Sequence, residues 1–374
     1  MTEPSPCTEL DRIRENVASG ERLTIGDAEL LFHPEVDLHA IGELADQVRR
    51  RKNGDVVYYN INAHLNPTNV CVYRCPLCAY SCDADDPKAY VMTRDDVLAR
   101  GEEAARNGCT ELHIVGGVHP EKPYGWYLGL IRTLHEAYPR LHLKAWTAVE
   151  IAWFSQISGR SVEAVLGELI EAGLGSLPGG GAEIFDPEVR RQISPRKIDA
   201  PTWLDVHRTA HRLGLRSNAT MLYGHVETAA HRVDHLIRLR ELQDETGGFQ
   251  AFIPLSFHPE GTQFAHLPRP SGLDDLRTMA ASRLILDNFD HVKAYWISLG
   301  IGTAQTALAY GADDLDGTVR HEKIHHDAGS TAPEHLSVDE LRALIAEAGR
   351  RPIERDMLYR RVERNGAEWR SLGS

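Results

Sequence analysis

From Asn66 to Gly317 the chain repeats one beat: a short apolar run, a polar or glycine-rich loop, an amphipathic helix behind a capping residue, a glycine, then the next run. That alternation is the pattern of repeated βα units. Helix starts are predicted at Thr93, Ser161, Thr202 and Thr228, and helix ends at Gly108, Gly173 and Gly214. The apolar runs fall at Leu65 to Val70, Glu111 to Val115, Leu141 to Thr147, Leu174 to Leu177, Arg216 to Leu222, Gln250 to Ser256 and Val292 to Ser298. Seven parallel strands with room for an eighth predict an α/β fold, a (β/α) TIM-type barrel that is full or nearly full. A doubly wound open sheet is the alternative, but no G-x-G-x-x-G loop follows any strand.

Residues 1–55 are expected to form a helical N-terminal extension, one helix opening at Thr24 to Asp27 and another capped by Asp37 and ending near Asn53-Gly54. The barrel is placed at 56–320 and a helical tail at 321–374. A capping box at Ser337 to Glu340 opens the first of two tail helices expected to pack on the barrel. No run approaches the roughly twenty apolar residues that span a bilayer, and the first residues lack the basic-then-apolar pattern of a secretory signal. The expectation is a cytoplasmic protein without a membrane partner, its six cysteines reduced. A net charge of -13 with no offsetting basic run argues against nucleic acid as a partner.

In a barrel the loops after the strands open on one face. The first such loop carries Cys71, Cys75 and Cys78, a C-x3-C-x2-C array. Thiolates this close can converge on one soft metal centre, and three ligands would leave one iron of an iron–sulfur cluster open to another molecule. Cys82 could complete a tetrahedral zinc site. Zinc ligand pairs, however, usually come from turns a dozen or more residues apart, so Cys82 reads as a spare thiol. Around the same mouth, Gly116-Gly117 permits close backbone approach to a ligand, or simply a tight turn. Glu150 and Glu183, just past strands, suit an ammonium or ribose hydroxyls, or are solvated loop acids. His119, His225 and His258 could contact a carboxylate or shuttle a proton. His321, His325 and His326, beyond the last strand, read as ordinary surface.

The cysteine array on the first barrel loop, with a glycine pair after the second strand, resembles the radical S-adenosylmethionine superfamily. The resemblance implies that Cys71, Cys75 and Cys78 hold a [4Fe-4S] cluster whose open iron chelates S-adenosylmethionine, with Gly116, Gly117, Glu150 and Glu183 around it. The position before the last cysteine, often aromatic in the superfamily, is Leu77, which moves the adenine contact to Tyr80. The strings LPGGGAEIF (177–185), SNATMLYGHVE (217–227), LQDETGGFQAFIPLSFHPEGT (242–262) and GADDLDGT (311–318) resemble the aminofutalosine synthase family of the futalosine route to menaquinone. Dehypoxanthine futalosine cyclase and the deazaflavin-forming FO synthase are its nearest relatives. The resemblance implies a transferase that consumes S-adenosylmethionine as co-substrate. It adds the 5'-deoxyadenosyl radical to the enol ether of 3-[(1-carboxyvinyl)oxy]benzoate and forms 6-amino-6-deoxyfutalosine, with an electron donor such as flavodoxin or ferredoxin. The cyclase and FO synthase would instead abstract hydrogen, and a zinc-stabilised binding barrel is the remote alternative. Buried carboxylates of such a substrate need cationic or hydrogen-bonding partners. Lys144, Arg190 and the three histidines His119, His225 and His258 are the candidates.

Overall fold

The computed structural model describes residues 6–373. Three helices, Pro6–Ser19, Ile25–Leu31 and Leu38–Asn53, come first. Thr24 and Asp27 close the expected capping box and Asp37 caps the third helix. Ile13, Leu31, Ile41 and Leu44 from these helices join the main apolar core, so the extension is packed onto the barrel.

The strands in chain order are β1 (Val56–Asn60), β2 (Asn62–Leu65), β3 (Glu111–Ile114), β4 (His142–Ala145), β5 (Leu174–Leu177), β6 (Arg216–Tyr223), β7 (Phe249–Ser256), β8 (His291–Val292), β9 (Asp314–Gly317), β10 (Arg351–Glu354), β11 (Val362–Asn365) and β12 (Glu368–Ser371). Strands β2 to β8 form one parallel seven-stranded sheet in sequence order, each joined to the next through helix-bearing crossovers. Segment 313–320 spans the gap between its two edges. On one side Asp313 N–H donates to Val292 at 3.1 Å and Ala294 N–H to Asp314 at 2.8 Å. On the other, Arg320 N–H donates to Asn62 at 3.3 Å and His64 N–H to Arg320 at 2.7 Å. The eighth position is thus filled by the acid-rich GADDLDGT string.

Several expectations are corrected. The first barrel strand is Asn62–Leu65, ending where 65–70 was expected to begin, because the chain from Asn66 already winds into the cysteine loop. Strand β1 lies outside the ring in a parallel three-stranded sheet, β10-β1-β9. Asp199, not Thr202, caps the helix Ala200–Arg212. The run 292–298 is strand only at His291–Val292 and then turns into the short helix Trp296–Leu299. The tail holds one helix of more than a single turn, Val338–Glu347 behind the Ser337/Glu340 capping box, followed by β10 and the antiparallel β11–β12 hairpin in place of a second helix. Alternating charged residues in VERN and EWRS suit a two-stranded ribbon with one wet face.

Burying three acids along segment 313–320 requires cations from elsewhere in the chain. Asp313 pairs with Arg283 and with His291, the latter at 2.5 Å. Arg355, immediately after β10, donates to Asp314 at 2.7 Å, and Lys293 to Asp316 at 3.1 Å. Arg283, Arg355 and Lys293 are fully buried. Removing one partner of such a pair strands a buried charge and costs about 3–5 kcal/mol, against near zero for an exposed pair. Arg355→Met should therefore shift the urea midpoint strongly downward, while Arg370→Ala, which breaks the exposed pair with Glu363, should leave it unmoved. Equal midpoints for the two variants would contradict the role given to the buried pairs.

Candidate active site

The cysteine loop is held by backbone. Val70 bridges Cys82, with Cys71 N–H donating to the Cys82 carbonyl at 3.1 Å and Cys82 N–H to that of Asn69 at 3.0 Å. Cys78 N–H turns back onto Cys75 at 2.9 Å. The glycine pair after β3 sits directly on this loop. A Cβ at Gly117 would lie 2.2 Å from the Val70 carbonyl oxygen, and one at Gly116 2.9 Å from that of Thr68. Gly117 N–H donates to Thr68 at 2.7 Å and Val72 N–H to Val118 at 2.9 Å. The close approach that needs glycine is therefore between two backbones, so the pair sets the position of the cysteine loop.

Cys71, Cys75 and Cys78 line one cavity of about 300 Å³ at the mouth and interior of the barrel. Cys82 is fully buried away from it, its thiol 3.7 Å from the Asn69 carbonyl, and is the outsider expected. Burial pushes the Cys71 thiol up and that of Cys75 to about 11, against the pull of the Lys197 ammonium. Thiols in such surroundings become thiolates when a metal replaces the proton. Among the described residues no three His, Cys, Asp or Glu side chains close on a single ion. A cluster in which each thiolate takes a different iron does not require them to. Three thiols of one loop, facing one cavity beside a buried ammonium, fit the iron–sulfur cluster that the motif implies.

Gly116, Gly117, Glu150, Glu183 and Tyr80 all line the same cavity. Glu150 is a buried residue in the first turn of the helix Ala148–Ser158, not a solvated loop acid. It accepts the Thr147 N–H at 2.6 Å in a capping box and the Gly116 N–H at 3.1 Å, so it clips the glycine loop to the helix. Burial pushes its carboxyl up to about 7 against those donors. Glu183, at a φ of 46°, accepts from Lys197 at 2.5 Å. Burial alone would raise its carboxyl, and Lys197 overrides this and holds it low. The Tyr80 hydroxyl is 2.9 Å from the Thr68 carbonyl and 2.8 Å from the Tyr90 hydroxyl, leaving the ring rather than the hydroxyl to face a ligand.

The histidines divide. His258 lines the cavity, its Nε2 2.8 Å from the Ser298 carbonyl and its buried Nδ1 without a partner. A carbonyl only accepts, so Nε2 carries the proton and Nδ1 is a bare acceptor in the neutral ring, the form that burial favours. His119 and His225 are corrected: neither lines the cavity. The His119 ring accepts the Glu121 N–H at 3.1 Å, and His225 is tied to Leu222 at 3.0 Å and to Glu227 at 3.0 Å. Arg190 is likewise removed from the substrate candidates, because its guanidinium is spent on the carbonyls of Ala182, Ile184 and Ile198. Lys144 does line the cavity, paired with buried Glu111.

Sequence reasoning missed Lys197, His64, His113, Tyr295 and Glu322, and took His325 for surface, although it lines the cavity. Lys197 sits in an irregular stretch after the helix Pro187–Ile193, where no strand end marks it. His64 and His113 were visible as inward positions of the runs NAHL and ELHI, each two residues from another polar residue.

Gly117→Ala should lower both the melting temperature and the iron bound on anaerobic reconstitution. Gly125→Ala, on an exposed helix face with nothing within 4 Å of its Cβ, should be neutral or slightly stabilising. Iron loading of Gly117→Ala at the native level would contradict the packing described. Glu150 generates a pH signature: its carboxyl, raised from 4.5 to about 7, keeps a proton on folding that the unfolded chain releases. Its contribution is complete below about pH 4.5 and lost as pH rises through about 7, at a slope of up to roughly 1.4 kcal/mol per pH unit. Denaturant titrations at pH 5 and pH 8 should show Glu150→Gln losing part of that difference, and identical pH dependence in both proteins would count against it.

Residues 65–239 match the radical SAM superfamily and residues 246–366 the CofH/MqnC C-terminal region. The chain is 47% identical over 354 residues to an aminodeoxyfutalosine synthase of Thermus thermophilus, covering 94% of this chain and 95% of that protein. It is 46% identical to an aminodeoxyfutalosine synthase of Streptomyces coelicolor, covering 93% and 92%. A 5-amino-6-(D-ribitylamino)uracil–L-tyrosine 4-hydroxyphenyl transferase of Methanopyrus kandleri is 37% identical over 93% of this chain and 96% of its own length. Among solved structures, methylornithine synthase (PylB) superposes with a TM-score of 0.72 at 17% identity, over 91% of this chain and 97% of that one. The [FeFe]-hydrogenase maturase HydG gives 0.73 at 16%, over 94% and 77%. At those identities the two structures speak to the fold, while the curated relatives establish the relationship: the chain is an enzyme of the radical S-adenosylmethionine superfamily and belongs to the aminodeoxyfutalosine synthase family.

Proposed function

We propose that this chain joins the 5'-deoxyadenosyl group of S-adenosylmethionine to the enol ether of 3-[(1-carboxyvinyl)oxy]benzoate, giving 6-amino-6-deoxyfutalosine for menaquinone synthesis. The observation that carries the reading is identity of 47% across 94% of the chain to a synthase of that name, joined to three thiols facing one cavity. When bound, the cluster and S-adenosylmethionine supply the electron and the adenosyl radical. Cys71, Cys75 and Cys78 hold the cluster. The Tyr80 ring and the Gly116-Gly117 edge would border the nucleoside, and Glu150 keeps that edge in place. Val115, Val149, Ile253 and Phe257 form apolar wall that excludes water and oxygen from a reactive carbon centre. His258, with an open Nδ1 acceptor, is suited to take a hydrogen bond or a proton from a hydroxyl or amine of the bound molecules.

Among the described residues no helix is long and apolar enough to cross a membrane. We place the enzyme in the cytoplasm, with flavodoxin or ferredoxin as the electron donor. The hydrogen-abstracting reading keeps a place because residues 246–366 match a region shared by CofH and MqnC.

Anaerobic incubation with dithionite, S-adenosylmethionine and the enol-ether benzoate, followed by mass spectrometry, separates the two. A covalent adenosyl adduct is expected, and free 5'-deoxyadenosine as the main product would favour abstraction. Cys75→Ala should abolish both the iron–sulfur charge-transfer absorbance and the adduct.

A further inference from the structure

The inner wall of the cavity holds a row of nitrogen side chains that no step above employs. His64 on β2 is the register partner of His113 on β3, and His113 is the partner of Lys144 on β4. Register partners on neighbouring parallel strands point to the same face, and all three line the cavity. The two imidazoles stack with centroids 4.6 Å apart at 27°. Among the described residues neither ring hydrogen-bonds to the protein, and the buried His64 Nε2 is left unsatisfied.

Buried polar groups without partners cost free energy unless a ligand supplies the partner. The charge around the row narrows the ligand. Among the described residues the cavity has two cations, Lys144 and Lys197, both already ion-paired, with Glu111 and with Glu183. Asp316, Glu322, Glu150 and Glu183 are also on its wall. A carboxylated substrate therefore finds no spare permanent cation, and what the wall offers it is uncharged N–H and O–H donors, Asn218, Ser256 and Tyr295 among them, beside a shared cation. His258 cannot serve while neutral, since its proton is given to Ser298, and His325 lies 3.5 Å from the Glu322 carboxylate. His64 and His113 are the imidazoles that stand in register with Lys144, each free to choose the tautomer that turns an N–H to an anion. Burial, with Lys144 and His64 beside it, keeps His113 neutral. The groups facing the pair are Lys144, Lys293, Glu111, Asp316 and Glu322.

We infer that the His64–His113–Lys144 row is the subsite for a carboxylate of the substrate, with His113 as the central donor, His64 bracing it by stacking, and Lys144 supplying the shared positive charge. This rests on the reading of the substrate as an aryl carboxylate, and it assigns positioning, not radical chemistry, to the row. The benzoate end would then be fixed deep in the barrel, and the reacting double bond would be directed toward the thiol-bearing mouth.

The test uses the reconstituted enzyme without reductant and reads binding of 3-fluorobenzoate against 3-fluorobenzamide by fluorine NMR, so no turnover is needed. The native enzyme is expected to favour the acid at least tenfold. His113→Leu should bring that preference below twofold, and His113→Gln, which keeps an N–H donor, should retain part of it. Equal binding of acid and amide by the native enzyme, or a full preference in a folded His113→Leu, overturns the proposal. If His113→Leu does not fold, as judged by melting and iron content, His64→Leu takes its place: a weakened preference supports the row, and an unchanged one overturns it. A native enzyme that prefers the acid yet never converts the enol-ether benzoate overturns the proposed function and leaves the carboxylate subsite standing.

Discussion

The ring of strands depends on a line of buried charge. Segment 313–320 bonds to both free edges of the seven-stranded sheet, and it does so while carrying Asp313, Asp314 and Asp316 into the interior. Alone, that burial would cost more than the backbone bonds return, because a desolvated carboxylate loses several kcal/mol of hydration. Arg283, His291, Lys293 and Arg355 make it tolerable. They come from a barrel helix, from either end of β8 and from the end of β10, so the seam cannot form until those elements are in place. Specific pairing of this kind also selects one register, since sliding β9 by a residue would part every acid from its cation.

The same economy governs the cavity above the seam. Each permanent charge on its wall has a partner: Lys144 with Glu111, Lys197 with Glu183, Asp316 with Lys293 and Glu322 with His326. Around these are backbone and apolar surface, and the thiols are held by a loop whose shape comes from packing against Gly116 and Gly117. The site is organised by contacts within the protein itself, and a preformed frame lowers the entropy lost when ligands bind.

The sequence made the barrel legible because apolar periodicity, capping residues and helix-ending glycines are local signals. The beat located β3 to β7, most helix starts and the cysteine loop, and the thiol spacing isolated Cys82 correctly. What it concealed was settled by partners far away in the chain. DDLDG has the composition of a turn, yet it is a strand, because its acids meet cations up to 41 residues later and 30 residues earlier. Position after a strand made His119, His225 and His258 look equivalent, but only the last turns inward, the other two being drawn into loop hydrogen bonds. His64 and His113 were passed over because two histidines in separate apolar runs look unremarkable until the register sets them side by side. The tail hairpin lacked the apolar alternation that marks strands facing a core.

The charge seam also orders events in time. A chain leaves the ribosome from its N-terminus, and domains form as their parts emerge. Strands β2 to β8 can pair as they appear, but the carboxylate of Asp314 has no cation until Arg355 follows it. Without Arg355 that acid would be a buried charge with no guanidinium beside it, at the seam that closes the ring. Closure of the ring that carries the thiols therefore depends on a side chain 41 positions beyond Asp314, outside the strands of the barrel.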